Sequence, residues 1–137
     1  MDRDVVLNKL ENLRHCIQRI EAKTPTSPEL LVKDYDLQDI ISVNLERAIQ
    51  TCVDIGLHVI SDLEVPVPQT MAETFMVLER AGSLDKAVAE RMAKSVGFRN
   101  IAVHAYQQID WTIVYRIITE HLDDFRDFAR QILKIIG

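Results

Sequence analysis

The run DLQDIISVNLERAIQTCVDIGLHVISDL, residues 36–63, decides the fold. Its apolar residues Ile41, Leu45, Ala48, Ile49, Cys52, Ile55, Val59 and Ile60 recur at steps of three and four for the most part. That period gathers them on one wide face of a helix. Asp36 can accept hydrogen bonds from the free amides of the first turn, so the spacing predicts a helix from Asp36 to about Leu63. A second set runs along the opposite side: Asn44, Arg47, Thr51, Asp54 and His58, at steps of three, four, three and four. At about 100° per residue all five fall in one narrow arc. The row holds neither Lys nor Glu, the usual residues of a wet face. Arg47, Asp54 and His58 are spaced to form an Arg–Asp–His network. The row therefore reads either as solvated surface or as a face turned to a partner subunit or a catalytic cleft.

Outward from this helix, the same period repeats. Val6, Leu10, Leu13, Ile17 and Ile20 predict a helix from about Arg3 to Glu21. Thr24-Pro25-Thr26-Ser27-Pro28 interrupts it, and Glu29 to Tyr35 has room for a short helical turn. Leu63 to Gln69 carries Pro66 and Pro68 and reads as a loop. Thr70-Met71-Ala72-Glu73 has the form of a capping box, opening a short helix with Phe75, Met76 and Leu78 turned inward and Gly82 at its end. Ser83 is placed to cap the next helix, whose buried side reads as Leu84, Ala87, Val88, Met92 and Val96; Gly97 suggests a kink or a close backbone approach. Asp110 can cap a last helix from Trp111 to Ile136, with Ile113, Ile117, Leu122, Phe125, Ala129, Ile132 and Ile136 as its apolar stripe and Asp123, Asp124, Arg126, Asp127 and Arg130 outside. His121 sits at the stripe's edge and reads as structural. The expected architecture is all-α: an antiparallel bundle of four long helices plus a short helix, as one domain over residues 1–137.

Composition agrees. The chain has 137 residues, 47% of them apolar and 27% charged, the balance of a soluble globular protein. Its net charge of −5 argues against general nucleic-acid binding, which comes from neutralising phosphates, though a local basic cleft is compatible with it. Cys16 and Cys52 lack metal-ligand spacing and read as buried thiols in a reducing compartment. Neither a signal peptide nor an apolar run of about 18 residues is visible, so a cytoplasmic protein with no membrane partner is expected.

The chemistry concentrates in Arg99-Asn100-Ile101-Ala102-Val103-His104-Ala105-Tyr106. Within eight residues this stretch holds a permanent cation, an imidazole and a phenol. The guanidinium fork suits a phosphate. The imidazole is the side chain that exchanges protons near neutral pH. Asn100 and His104 are one helical turn apart and neighbour each other. A group to hold a phosphodiester and a group to move a proton are what RNA cleavage without a metal requires. Taken as spacing alone, the same residues also suit a helix end, a satisfied core histidine and ordinary aromatic packing.

Arg99-x4-His104-x-Tyr106, with Asn100 beside the arginine, resembles the signature of HepT-type toxins of the HEPN superfamily. Leu37-Gln38-Asp39, Asn44-Leu45-x-Arg47, Asp54-x-x-x-His58 and the acidic, aromatic His121-Leu122-Asp123-Asp124-Phe125 are similar to that group too, so the likeness spans nearly the whole chain. The resemblance implies a HEPN-like bundle and a metal-independent ribonuclease, the toxin of a two-gene toxin–antitoxin system. It implies a homodimer whose two motifs form one cleft over an RNA substrate, tRNA or mRNA. It implies an MntA-type nucleotidyltransferase antitoxin that AMPylates the motif tyrosine, here Tyr106. No cofactor is implied. In that reading Arg99 holds the scissile phosphate, and His104 is general base at the ribose 2′-OH or general acid at the leaving oxygen. Asn100 orients His104 or the backbone, and Asp54 and Arg47 are supporting residues. The competing expectation is a non-catalytic HEPN module that binds a nucleotidyltransferase partner or a nucleotide. A metal hydrolase is disfavoured, since four scattered histidines and no dense carboxylate pair leave few ligands.

Overall fold

The computed structural model describes residues 1–137 and is helical throughout, with no strands. The elements are α1 (Arg3–Lys23), α2 (Pro28–Lys33), α3 (Tyr35–Ile60), α4 (Met71–Arg80), α5 (Lys86–His104), a 3-10 turn (Tyr106–Gln108), α6 (Trp111–Glu120) and α7 (Asp123–Ile136). No helix is long and apolar enough to cross a membrane.

α3 is the central element and packs on α1, α2, α4, α5 and α7. Side-chain ties between helix ends show that its long neighbours run antiparallel. The amino group of Met1 pairs with Asp62 just past the end of α3. Arg3 Nε donates to the carbonyl of Ile136 at 3.2 Å, while Arg126 pairs with Glu21 at 2.7 Å, so α1 and α7 run in opposite directions. Asp85 meets Gln131 at the start of α5, and Arg91 meets Asp124 and Asp127 further along, which orients α5 against α7 in the same way. The charges of α7 are thus fasteners between helices rather than a wholly solvated face.

Several local expectations shift by a turn or less. The cap of α3 is Asp34, whose carboxylate accepts from the Leu37 amide at 3.1 Å, rather than Asp36, and α3 stops at Ile60 rather than Leu63. The Pro28–Lys33 turn is a formed helix. Its free carbonyls at Leu31 and Val32 accept from the buried Gln38 amide at 2.9 and 3.0 Å, which removes the cost of an unpaired polar group in the core. Thr70 caps α4 through the Glu73 amide, and Gly82 leaves the helix with φ 80°. α5 is capped by Asp85, which accepts from Val88 N–H at 2.8 Å, and not by Ser83. α5 runs unbroken past Gly97, where a Cβ would meet nothing within 4 Å, so no close backbone approach explains that glycine. The close approach lies at Gly56 instead: a Cβ there would come within 2.8 Å of Thr74 and 3.0 Å of Leu78, where α3 crosses α4.

The expected last helix is two helices. His121 leaves helical geometry (φ −125°, ψ 8°) and Leu122 is buried at the joint. The buried residues Val114, Ile118, Leu122, Phe125, Phe128 and Ile132 keep helical steps of three and four across the joint, so the apolar period gives no signal of the break. Breaking there lets α6 bury Val114 and Ile118 while packing on α2, and lets α7 bury Phe125, Phe128 and Ile132, with Phe128 edge-on to Phe75 at 5.8 Å. Ile113 is consequently not a core residue; it is 51% exposed. On α5, Ala89 rather than Ala87 is buried.

Candidate active site

The end of α5 and the turn after it carry the motif. Arg99 lies on the inward arc of α5. Its side chain is half-buried, and its Nε is buried without a hydrogen-bond partner. No carboxylate pairs with it: the ion pairs of the molecule involve Met1, Arg14, Lys86, Arg91, His121, Arg126 and Arg130. The chain has a net charge of −5, yet this half-buried cation has no counterion within it. Asn100 and His104 are exposed and form no side-chain hydrogen bond with each other or with Arg99. Five residues of helix place Arg99 and His104 about 7.5 Å apart along the axis and about 140° apart around it. A single copy of the helix therefore turns the two groups to different sides, inward and outward.

His104 is the last residue of α5. Ala105 (φ −148°, ψ 51°) breaks the helix, and its amide still donates to Ile101 at 2.8 Å. The 3-10 turn that follows swings Tyr106 back over the first turns of α3, where its hydroxyl donates to Asp39 Oδ1 at 2.7 Å. The Trp111 ring meets the Tyr106 ring edge-on at 5.8 Å. Burial pushes the Tyr106 phenol above its usual pKa, and the hydrogen bond to Asp39 pushes it the same way. Asp39 and Trp111 are the contributors that periodicity alone did not single out. Asp39 stands 67 positions away in the sequence, and no local spacing links the two residues. Asp110, buttressing the turn, caps α6 as expected, accepting from Thr112 and Ile113.

The polar row of α3 is not joined to the motif. Asn44 is buried and donates to its own helix at Ile40, 2.8 Å away. Asp54 accepts from Gln50 at 3.0 Å, and neither Arg47 nor His58 bonds to it, so the expected Arg–Asp–His network is absent. The reason is distance along the helix: Gln50 lies one turn before Asp54 with an amide that reaches the carboxylate, whereas Arg47 lies two turns before it, about 10 Å along the axis. Nothing ties Arg47 or Asp54 to Arg99, Asn100 or His104, and Asp54 stands about 22 Å along the helix from Asp39. Both cysteines are buried and free, with burial raising the Cys52 thiol well above its usual range. No three His, Cys, Asp or Glu side chains gather closely enough to hold a metal ion.

Beside the motif, α5 and α6 leave a mainly apolar cleft of ≈ 630 Å³ lined by Phe98, Ile101, Ile109, Ile113 and Ile117, with His121 and the Arg91–Asp124 pair at one end. His121 sits at the α6–α7 joint, its Nδ1 3.7 Å from Asp124. Arg99 and His104 do not line the cleft.

Comparison with known proteins matches this geometry to one group. An mRNA nuclease HepT from Shewanella oneidensis is 32% identical over 125 residues, covering 91% of this chain and 93% of that protein. The crystal structure of a toxin–antitoxin complex with AMP-PNP contains a chain that superposes with a TM-score of 0.90 at 30% identity, covering 96% of this chain and 98% of that one. A tri-AMPylated HEPN toxin of Shewanella oneidensis, solved with its MNT antitoxin, superposes with a TM-score of 0.89 at 31% identity over 98% and 99% of the two chains. The profile of the family described as ribonuclease HepT-like matches residues 13–132. From Leu13 in α1 to Ile132 in α7, then, with an unpaired arginine and an exposed histidine at the end of α5, the chain belongs to the ribonuclease HepT-like family.

Proposed function

We propose that this protein is a metal-independent endoribonuclease, the toxin of a toxin–antitoxin pair, which acts as a homodimer on tRNA or mRNA. The observation that carries the reading is Arg99, an inward guanidinium with a buried, unpartnered Nε, one helical segment before an exposed imidazole. Arg99 holds the scissile phosphate and offsets charge that develops in the transition state. His104 takes the proton from the ribose 2′-OH, which attacks phosphorus, and a second imidazole returns a proton to the leaving 5′ oxygen. The products are a 2′,3′-cyclic phosphate and a 5′-hydroxyl, and no step needs a metal-bound water.

Two features support a dimer. Arg99 and His104 turn to different sides of α5, so a second copy can bring its own His104 toward the bound phosphate. The surface around the motif is also unusually apolar, with Ile101 43% and Ile113 51% exposed along the α5–α6 cleft, as an interface between copies would be. Asn100, exposed one turn before His104 and not bonded to it within one copy, orients His104 or the backbone once RNA is bound. Arg47 and Asp54 have no part in the site of one copy. The antitoxin is an MntA-type nucleotidyltransferase that attaches AMP to Tyr106, and the added anion repels RNA and occupies its path.

The test is purified protein, RNA and EDTA. Cleavage ending in cyclic phosphate, lost in Arg99→Ala and in His104→Ala, is expected. Full cleavage in both variants overturns the assignment of the two residues. Absence of cleavage by the wild-type chain under every metal condition, with the nucleotidyltransferase still bound, favours a non-catalytic binding module.

A further inference from the structure

We infer that Asp39 is the base that receives the phenolic proton when Tyr106 is adenylylated. The inference rests on the reading of Tyr106 as the modified residue, and adds to it a residue from a different helix. A tyrosine hydroxyl is a poor nucleophile while it keeps its proton, and at neutral pH less than about one part in a thousand is phenolate. In this protein burial holds the proton more tightly still. Something has to take it as the new bond forms.

The structure places one group to do so. The hydroxyl of Tyr106 donates to Asp39 Oδ1 at 2.7 Å, the reach from which a general base works. The Trp111 ring packs edge-on against the Tyr106 ring at 5.8 Å and helps hold it in place. Asp39 is the charged group acting on the phenol; the remaining polar neighbour on α3 is Ser42, whose own hydroxyl donates to the Asp39 carbonyl at 3.3 Å. His104, two residues before Tyr106, makes no hydrogen bond to it. Asp39 is itself exposed and can pass a proton on to water. Tyr106 is 37% exposed, which leaves room for a nucleotide to reach it.

The step balances. The phenolic oxygen attacks the α-phosphorus of a nucleoside triphosphate, forming an O–P bond. The bond from that phosphorus to the bridging oxygen breaks, and its electron pair leaves with pyrophosphate. The proton moves to Asp39 Oδ1 and then to water. Once esterified, the oxygen has no proton to donate, and a phosphate now faces the Asp39 carboxylate. Modification therefore ends the contact that held Tyr106 on α3.

The test uses the full chain with an MntA-type nucleotidyltransferase and ATP, reading initial rates of AMP mass gain from about pH 6 to 9. In the wild type the rate stays level across this range, because Asp39 takes the proton as the new bond forms. In Asp39→Asn, which keeps an acceptor oxygen but cannot take the proton, the rate at neutral pH falls about 10²-fold. It then climbs about tenfold per pH unit, as only ionised phenol reacts. KM for ATP is unchanged, and Asp39→Glu restores most of the rate and the level profile. A wild-type rate and profile in Asp39→Asn overturns the inference. So does a loss by the same factor at every pH, which is what mere anchoring gives. Tyr106→Phe separates the two layers: if it still gains AMP mass, the acceptor assignment fails first and Asp39 falls with it.

Discussion

Arg91 and Arg99 lie about two turns apart on the same helix and have opposite surroundings. Arg91 Nε is 2.9 Å from Asp124, and Nη2 is 3.3 Å from Asp127, so its charge is spent joining α5 to α7. Arg99 has no carboxylate partner; the Nε atoms of both arginines are buried outside hydrogen-bond geometry, so the counterion is what separates the two. Most charges in the half of α5 that begins at Asp85 are paired: Asp85 with Val88 and Gln131, Lys86 with Glu90, and Arg91 with α7. The half that ends at His104 is left unsatisfied. In α5 the first half carries the ties to α7, and the second half carries groups without a partner inside the chain.

The sharpest way to break this comparison is to remove the unpaired groups. Arg99→Ala and His104→Ala should each lower RNA cleavage by roughly 10²- to 10⁴-fold, with little change in the thermal midpoint. A large fall in midpoint alongside the loss would show that Arg99 serves stability after all. Next comes Gly56→Ala, on the tied-down side of the molecule. Its added methyl meets Thr74 and Leu78 at 2.8 and 3.0 Å, so unfolding free energy should drop by about 1–3 kcal/mol in urea titration. Cleavage per folded molecule should be retained.

Arg91→Ala probes the paired arginine directly. Its ion pairs are partly exposed, which limits their worth to about 0.5–1 kcal/mol. The midpoint should fall slightly and cleavage should persist; loss of cleavage at intact stability would erase the contrast with Arg99. The smallest effect concerns Tyr106. Burial, with the Asp39 bond, raises its phenol above 10.0, so the folded state holds the proton more tightly than the unfolded chain does. The stabilisation is therefore full below about pH 10 and disappears as pH rises through the folded value. Ultraviolet titration should show a late phase that Tyr106→Phe removes.

Much of this molecule was legible in its residues. The three- and four-step apolar period of α1 and α3, the Thr70 and Asp110 caps and the Gly82 stop are local signals, because helix periodicity and capping depend on residues within a few positions of each other. The motif Arg99-x4-His104-x-Tyr106 was legible for the same reason, as a short pattern with a family resemblance. The polar row of α3 had the period of a functional face, yet period reports a shared side and not a partner. The structure gave Asn44 to its own helix and Asp54 to Gln50.

By itself the sequence determined the helical class, the places where most helices begin and end, and which residues have the chemistry for phosphate and proton. The tertiary structure alone decided that the last helix breaks at His121, that Arg91 is neutralised while Arg99 is not, and that Tyr106 rests on Asp39. The physical reason is range. A helix is written in contacts three and four residues apart, whereas whether a charge finds a counterion, or a hydroxyl an acceptor, depends on which distant helix is packed beside it.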